Sequence, residues 1–151
     1  MHRRNILTAV LSGIGGLIAG AVGAARANAA PANPDKSKVV YHLSDLDKVS
    51  FVLGNIRNHF DGMGGPDKVT IALVVHGPAL KGFHAASAPA DLAHRVGEFS
   101  KSGLELSACG NTMTAQKVTL KDLLPGFIEA DRGGVVRIAE LQSIGYVYLR
   151  P

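Results

Sequence analysis

Acidic residues are absent before Asp35 in this 151-residue chain, and cysteine occurs once, as Cys109. A single cysteine cannot form an internal disulfide bond. With no second cysteine and no two histidines four residues apart, the sequence lacks the usual ligand sets of a zinc site. No serine lies in a G-x-S-x-G motif, and Gly62-Met63-Gly64-Gly65 follows a predicted helix rather than a strand, so neither serine hydrolysis nor dinucleotide binding is indicated. We therefore expect neither a metal site nor a cofactor.

The beginning of the chain is typical of an exported protein. Arg3 and Arg4 precede an apolar, glycine-rich run that extends to about Ala25, and two A-x-A cleavage patterns follow it. Paired arginines before a weakly hydrophobic run favour twin-arginine export over an ordinary secretory signal. We predict an export signal peptide over residues 1–29, a linker over 30–38 and one domain over 39–151. The predicted location is the periplasm, with no membrane contact after cleavage.

Removal of the signal peptide changes the charge of the chain. The net charge of +4 rests on 16 basic and 12 acidic residues, and Arg3, Arg4 and Arg26 would leave with the signal. The mature domain is then close to neutral, in spite of a sequence pI near 9.4. A nearly neutral domain has no basic patch of the kind that binds nucleic acid, so we expect no nucleic-acid partner.

Strand and helix patterns alternate along the mature chain. β-Branched and apolar runs predict strands over residues 38–43, 68–77, 104–109, 127–130 and 146–151. Helical periodicity predicts helices over 46–60, 91–101, 118–124 and 135–143, with a loop over 78–89. The run over 68–77 is almost continuously apolar, as in a parallel strand covered on both faces. The pattern predicts an α/β domain with a mainly parallel sheet of about five strands.

Chemically active residues follow the predicted strands. Ligands of an open α/β sheet bind beyond the carboxyl ends of its strands. Each of the first three strands delivers candidates to that edge: His42; His76 and Gly77; and Cys109, Gly110, Asn111 and Thr112. We also expect His84, in the loop after the second strand, to lie near this edge.

Cys109 is the candidate reactive group. Only the thiolate form of cysteine is nucleophilic, and its pKa falls at a helix N-terminus. A tight turn at Gly110, followed by the N-cap formers Asn111 and Thr112, would direct backbone N–H groups at the sulfur. His76 could orient or protonate a sulfur group, with His42 in a weaker supporting role. Because free cysteine is often buried, an inert packing role for Cys109 stays open.

Several segments together resemble the DsrE/DsrF-like family of sulfur-relay subunits and YchN-like proteins. They are VVYHL with the following LGNIRN, ALVVHGPAL, ACGNTM and the ending ELQSIGYVYLRP, and they span about residues 39–151. The resemblance implies a three-layer, flavodoxin-like fold and homo-oligomers, either trimers or hexamers. It also implies a persulfide carried on Cys109 and a partner protein that donates or accepts the sulfur. The export signal is a departure, because the well-understood relay subunits are cytoplasmic.

Three functions are compatible with these features. The first is a periplasmic sulfur carrier, at most sulfurtransferase-like, that binds persulfide on Cys109 with help from His76. The second is a non-catalytic module for small-ligand binding or assembly, in which Cys109 only packs. The third is a redox sensor that cycles through sulfenic acid, although the chain has no resolving cysteine.

Overall fold

A parallel β-sheet forms the centre of the protein. The computed structural model describes residues 36–151. Within them, the strands are β1 (Ser37–Leu43), β2 (Val69–Val75), β3 (Glu105–Cys109), β4 (Phe127–Ala130) and β5 (Val147–Leu149). They form one five-stranded sheet in the order β4-β3-β2-β1-β5, and each neighbouring pair is parallel. The predicted α/β class and the mainly parallel sheet of about five strands are confirmed.

Helices connect the strands and cover both faces of the sheet. They are α1 (Val49–Met63), α2 (Ala90–Lys101), α3 (Gly110–Gln116) and α4 (Gly134–Ser143). Short 3₁₀ helices span Leu46–Lys48, Gly77–Phe83 and Leu120–Asp122. The apolar stripes of α1 and α2 pack with Tyr41, Leu73 and Leu106 on one face of the sheet. Ile138 and Leu141 of α4 pack on Val40 and Val74 on the other. The result is the three-layer, flavodoxin-like arrangement.

The predicted helix over residues 118–124 is wrong. Only a single 3₁₀ turn, Leu120–Asp122, forms there, and α3 lies earlier, directly after Cys109. Lys117 adopts the left-handed conformation, with φ of 56°, and ends α3. A capping box between Thr119 and Asp122 then closes the short turn. A local cap thus replaces the continuous helix that the apolar spacing had suggested.

The loop predicted over residues 78–89 begins as a packed element. Ala79, Leu80 and Phe83 of the 3₁₀ helix are buried in the core. The Phe83 ring lies edge-on to Phe127, with 5.2 Å between ring centroids. Backbone bonds also join this segment to its surroundings, since Leu124 N–H donates to the Phe83 carbonyl. The segment that follows β2 is therefore held firmly at the carboxyl edge of the sheet.

The predicted signal peptide, residues 1–29, and most of the predicted linker lie outside the described residues. Among residues 36–151, no helix combines the length and the apolar character needed to cross a bilayer.

We predict that Phe83→Ala lowers the free energy of unfolding by about 3–5 kcal/mol, because it removes a large side chain from a close-packed interior. Phe51→Ala is the matched control, since Phe51 is 59% exposed whereas Phe83 is fully buried, and we expect it to change stability by less than about 0.5 kcal/mol. Urea unfolding followed by circular dichroism measures both. Equal effects of the two substitutions would contradict the packing described for the Gly77–Phe83 segment.

Candidate functional site

The register of the sheet brings the candidate residues to one edge and one face. His42 pairs with Val74, and Val74 pairs with Ser107, so these three residues lie side by side. Side chains alternate along a strand, so residues two positions further on, His76 and Cys109, share the face of His42. This is the face that α4 covers. The three residues predicted from separate strand ends are therefore neighbours at the carboxyl edge.

Cys109 ends β3 and is the N-cap residue of α3. It is a free cysteine with only 5% of its surface exposed. Burial raises the pKa of the thiol, and this is the largest single effect on it. The Thr112 hydroxyl and the backbone N–H groups of Gly134, Thr112 and Asn111 donate to the sulfur and together more than offset burial. The net result is a pKa below the ordinary value, because hydrogen bonds to a charged form favour it.

The donors come from two helix N-termini. Asn111 and Thr112 belong to the first turn of α3, while Gly134 is the first residue of α4. Helix N-termini carry unpaired N–H groups and a partial positive charge, which together favour an anion. The sulfur thus lies where two helices present their positive ends.

Glycine allows this close approach of α4. A Cβ on Gly134 would lie 3.3 Å from Cys109 Cβ and 3.4 Å from His76 Cβ. Gly133 has φ of 99°, in the region that side chains disfavour, and a Cβ there would lie 4.0 Å from the sulfur. The two glycines therefore let backbone, rather than side chains, cover Cys109.

Gly77, Gly110 and Thr112 have distinct places in the site. Gly77 N–H donates to Thr112 Oγ1 across 2.9 Å, and the same hydroxyl donates to the sulfur. Gly110 packs against β4, where a Cβ would come within 3.1 Å of the Ala130 carbonyl oxygen. The segment after β2 is thus coupled to the sulfur through Thr112, whereas Gly110 permits α3 to lie close to β4.

The two histidines form a pair on the same face of the sheet as Cys109. The Nε2 atoms of His42 and His76 are within hydrogen-bond distance, and their rings stack with 4.6 Å between centroids. His42 Nδ1 lies 2.7 Å from the hydroxyl of Tyr148, on the edge strand β5. Burial, followed by the neighbouring His76 and Arg150, lowers the pKa of His42 to about 4, with Asp45 acting in the opposite direction. The pKa of His76 is also lowered, mainly by burial, so both imidazoles are neutral at pH 7.

His84 contacts the site only indirectly. Its Nε2 lies 2.8 Å from Gln116 Oε1, and Gln116 Nε2 donates to the Gly77 carbonyl across 2.9 Å. His84 therefore supports the Gly77 backbone through Gln116. Across residues 36–151, no three His, Cys, Asp or Glu side chains converge as metal ligands would.

The sequence reasoning missed Gly134, Tyr148 and Gln116. The helix predicted over 135–143 directly follows Gly133 and Gly134, and the rule that active groups collect at the carboxyl edge could have placed that helix start beside Cys109. No sequence pattern assigns Tyr148 to His42, because β5 is placed next to β1 only by the order of strands in the sheet.

We predict that Thr112→Val raises the pKa of Cys109 by about one unit, because a hydrogen bond to a charged group contributes about 1.5–3 kcal/mol and one pKa unit corresponds to about 1.4 kcal/mol. The rate of iodoacetamide alkylation as a function of pH measures this pKa. Thr112→Ser keeps the hydroxyl, so the midpoint of its alkylation rate against pH should equal that of the wild type. Thr114→Val, an exposed position on the same helix, is the control that should leave it unchanged. A wild-type midpoint for Thr112→Val would contradict the assigned bond.

We also predict that acidification from about pH 6.5 to 4 destabilises the protein partly through His42. In this range His42 binds a proton in the unfolded state but not in the folded state. Acidification therefore lowers the free energy of the unfolded state relative to the native state. His42→Gln should therefore lose less unfolding free energy than the wild type over this range in urea titrations. His94→Gln, at a side chain that is largely exposed, should behave like the wild type. An equal pH dependence for His42→Gln and the wild type would contradict this assignment.

Comparison with known proteins agrees with this architecture. The model of the DsrE/DsrF-like family matches residues 21–151. Among solved structures, the protein of unknown function MTH1491 from Methanobacterium thermoautotrophicum is 27% identical, with a TM-score of 0.67 over 77% of this chain and all of that one. The YchN protein from E. coli is similar in fold, with 10% identity and a TM-score of 0.57 over 76% of this chain and 99% of that one. No curated protein matches the chain. The family match covers most of the sequence, and the chain belongs to the DsrE/DsrF-like family.

Proposed function

We propose that the protein is an exported sulfur carrier that holds a persulfide on Cys109 and passes it to a partner protein. The observation that carries the proposal is the set of donors around the sulfur, from Thr112, Asn111 and Gly134. A packing cysteine has no need of four hydrogen bonds to its anionic form, whereas a nucleophilic one does. Membership of a family with a sulfur-relay-type fold supports the same chemistry.

Loading of the carrier is a thiol exchange. The Cys109 thiolate attacks the outer sulfur of a persulfide or polysulfide donor, forming the Cys109–sulfur bond while the donor's sulfur–sulfur bond breaks. The donor leaves as a thiolate or a shorter polysulfide, and Cys109 keeps the transferred sulfur. No external oxidant or reductant is needed, because the donor sulfur already has the oxidation state of the product. Unloading is the same exchange, with a thiolate of the partner as the nucleophile.

The histidine pair fits a supporting role. The Cβ atoms of His76 and Cys109 both lie within 3.4 Å of the position that a Cβ on residue 134 would occupy. A neutral imidazole can accept a proton or donate one, and the lowered pKa values of His42 and His76 keep the pair neutral at pH 7. We assign His76, with His42 and Tyr148 behind it, as the polar partner of the transferred sulfur.

Location and assembly are part of the proposal. The arginine pair and the A-x-A patterns within residues 1–29 support export to the periplasm. Exposed apolar side chains on and beside α4 support a homo-oligomer, a trimer or hexamer as in the family resemblance; they include Val135, Ile144, Val147 and Tyr148.

The burial of Cys109 favours a second candidate function. Only 5% of the residue is exposed, so little of Cys109 is open to a sulfur donor. A cysteine that stays covered would instead be structural, in a non-catalytic module for ligand binding or assembly. The two functions differ in whether the folded protein takes up sulfur.

We predict that the folded protein gains the mass of one or more sulfur atoms after incubation with polysulfide, and that Cys109→Ser does not. A sharper control moves the single thiol to an exposed turn, in Cys109→Ser combined with Ser87→Cys. Relative to its own loading at about pH 9, the wild type should lose less loading at about pH 6 than the relocated thiol, because the pKa of Cys109 is lowered whereas an ordinary thiol has a pKa near 8.5. Intact-mass spectrometry of the native protein gives both readouts.

The outcomes separate the candidates. Absence of sulfur uptake together with resistance to alkylation would overturn the carrier proposal in favour of the binding or assembly module. Cross-linked dimers under mild oxidant, without sulfur uptake, would indicate a redox sensor instead.

A further inference from the structure

A partly buried ion pair joins β3 to α4 beneath the candidate site. Arg137 donates to Glu105 Oε1 across 2.7 Å, and the Ser107 hydroxyl donates to the same oxygen across 3.1 Å. Ser107 is fully buried, and Arg137 Nε is buried without a hydrogen-bond partner among the described residues. The Arg137 and Glu105 side chains are 28% and 31% exposed, and Arg137 also lies 3.7 Å from Glu140 of its own helix, so the pair is partly shielded from solvent.

The pair links the same two elements that meet at the sulfur. Glu105, Ser107 and Cys109 alternate along β3, so they share the face that α4 covers. Arg137 lies in the first turn of α4, where its N–H donates to the Gly133 carbonyl across 3.1 Å. The strand β3 and the helix α4 thus touch at two places: Gly134 lies against Cys109, and Arg137 pairs with Glu105. Two contacts between one strand and one helix fix how far the helix lies along the strand.

We propose that Arg137 is a positioning residue of the candidate site: its ion pair with Glu105 holds the first turn of α4 where the Gly134 backbone packs against Cys109. This inference rests on the proposed role of Cys109 as the reactive group. Backbone covers the sulfur on this side, because residues 133 and 134 are glycines, and no side chain of α4 secures the helix start there. Arg137 is the nearest charged side chain of α4 with a partner on β3.

The substitutions that test this role separate positioning from long-range electrostatics. Loss of the Arg137 charge would raise the thiol pKa by either mechanism. Loss of the Glu105 carboxylate has opposite effects in the two cases. Through space, removing a negative charge favours the thiolate and lowers the pKa. If the pair positions α4, the same removal releases the helix start, weakens the Gly134 bond and raises the pKa.

The experiment is a pH titration of Cys109 in the full-length folded protein. Isotopically labelled cysteine gives one β-carbon resonance, because the chain has one cysteine, and its chemical shift reports the thiolate without any reagent having to enter the site. We expect the midpoint to rise by about one pH unit in Arg137→Met and in Glu105→Gln, the size of one lost hydrogen bond to an anion. Arg137→Lys keeps the charge and the reach, and should return the midpoint most of the way to wild type.

Arg132→Met is the matched control. Arg132 precedes the same helix and, like Arg137, pairs with Glu140, but it is 70% exposed whereas Arg137 is 28% exposed. Among residues 36–151, Glu140 is its one carboxylate partner. Its midpoint should stay within about 0.2 units of wild type, since exposed charges are screened by solvent. Thermal unfolding establishes that each variant is folded. If Arg137→Met does not fold, the midpoints of Glu105→Gln and Arg137→Lys test the positioning role.

A lowered or unchanged midpoint in Glu105→Gln would overturn the inference, and so would equal shifts in Arg137→Met and Arg132→Met. The proposed function depends on a different measurement, the uptake of sulfur by the wild type. If the wild type takes up no sulfur while the midpoint still moves as expected, the positioning role stands and the carrier role does not.

Discussion

An anionic sulfur inside a protein depends on the hydrogen bonds that replace its hydration. Cys109 is almost fully buried, and burial alone would keep it protonated. Donors from Thr112, Asn111 and Gly134 more than offset the effect of burial and bring the pKa of the thiol below its ordinary value. These donors belong to two helices that start at the same edge of the sheet, so the ionisation of one side chain depends on the packing of the whole carboxyl edge.

The parallel sheet makes this convergence possible. Strands that run in the same direction end at the same edge, and here β1, β2 and β3 deliver His42, His76 and Cys109 to it. The chain must then turn at that edge to form each connecting helix, so helix N-termini collect there as well. The local segment of α3 supplies three donors, whereas α4, some 25 residues further on, supplies the fourth. The geometry of the sulfur is therefore a property of the folded domain rather than of the segment around Cys109.

The sequence was most informative where periodicity and strand ends govern the structure. The buried run over β2, the parallel sheet and the placement of His42, His76 and Cys109 at one edge follow from patterns that are local in the chain. The predicted helix over 118–124 was wrong because the apolar spacing is the same for a helix and for a packed turn. The capping box between Thr119 and Asp122 stabilises the turn. The contact of Tyr148 with His42 and the Glu105–Arg137 pair could not be assigned, because each joins residues far apart in the sequence. Such contacts depend on how α4 and β5 settle on the sheet, and no local pattern encodes that.

Burial and reactivity impose opposite demands on a carrier of reactive sulfur. A persulfide exposed to solvent is open to attack by any thiol, whereas one that is permanently covered cannot be passed on. The cover over Cys109 is backbone at Gly133 and Gly134, which is thin and free of bulky side chains. Directly behind it, Arg137 anchors the same turn to β3. Since local openings cost less free energy than global unfolding, the proposed carrier role would require this segment to open while the domain stays folded. Under the proposed function, the contact between Arg137 and Glu105 would thus tie the ionisation of the thiol to the packing of α4 on the sheet.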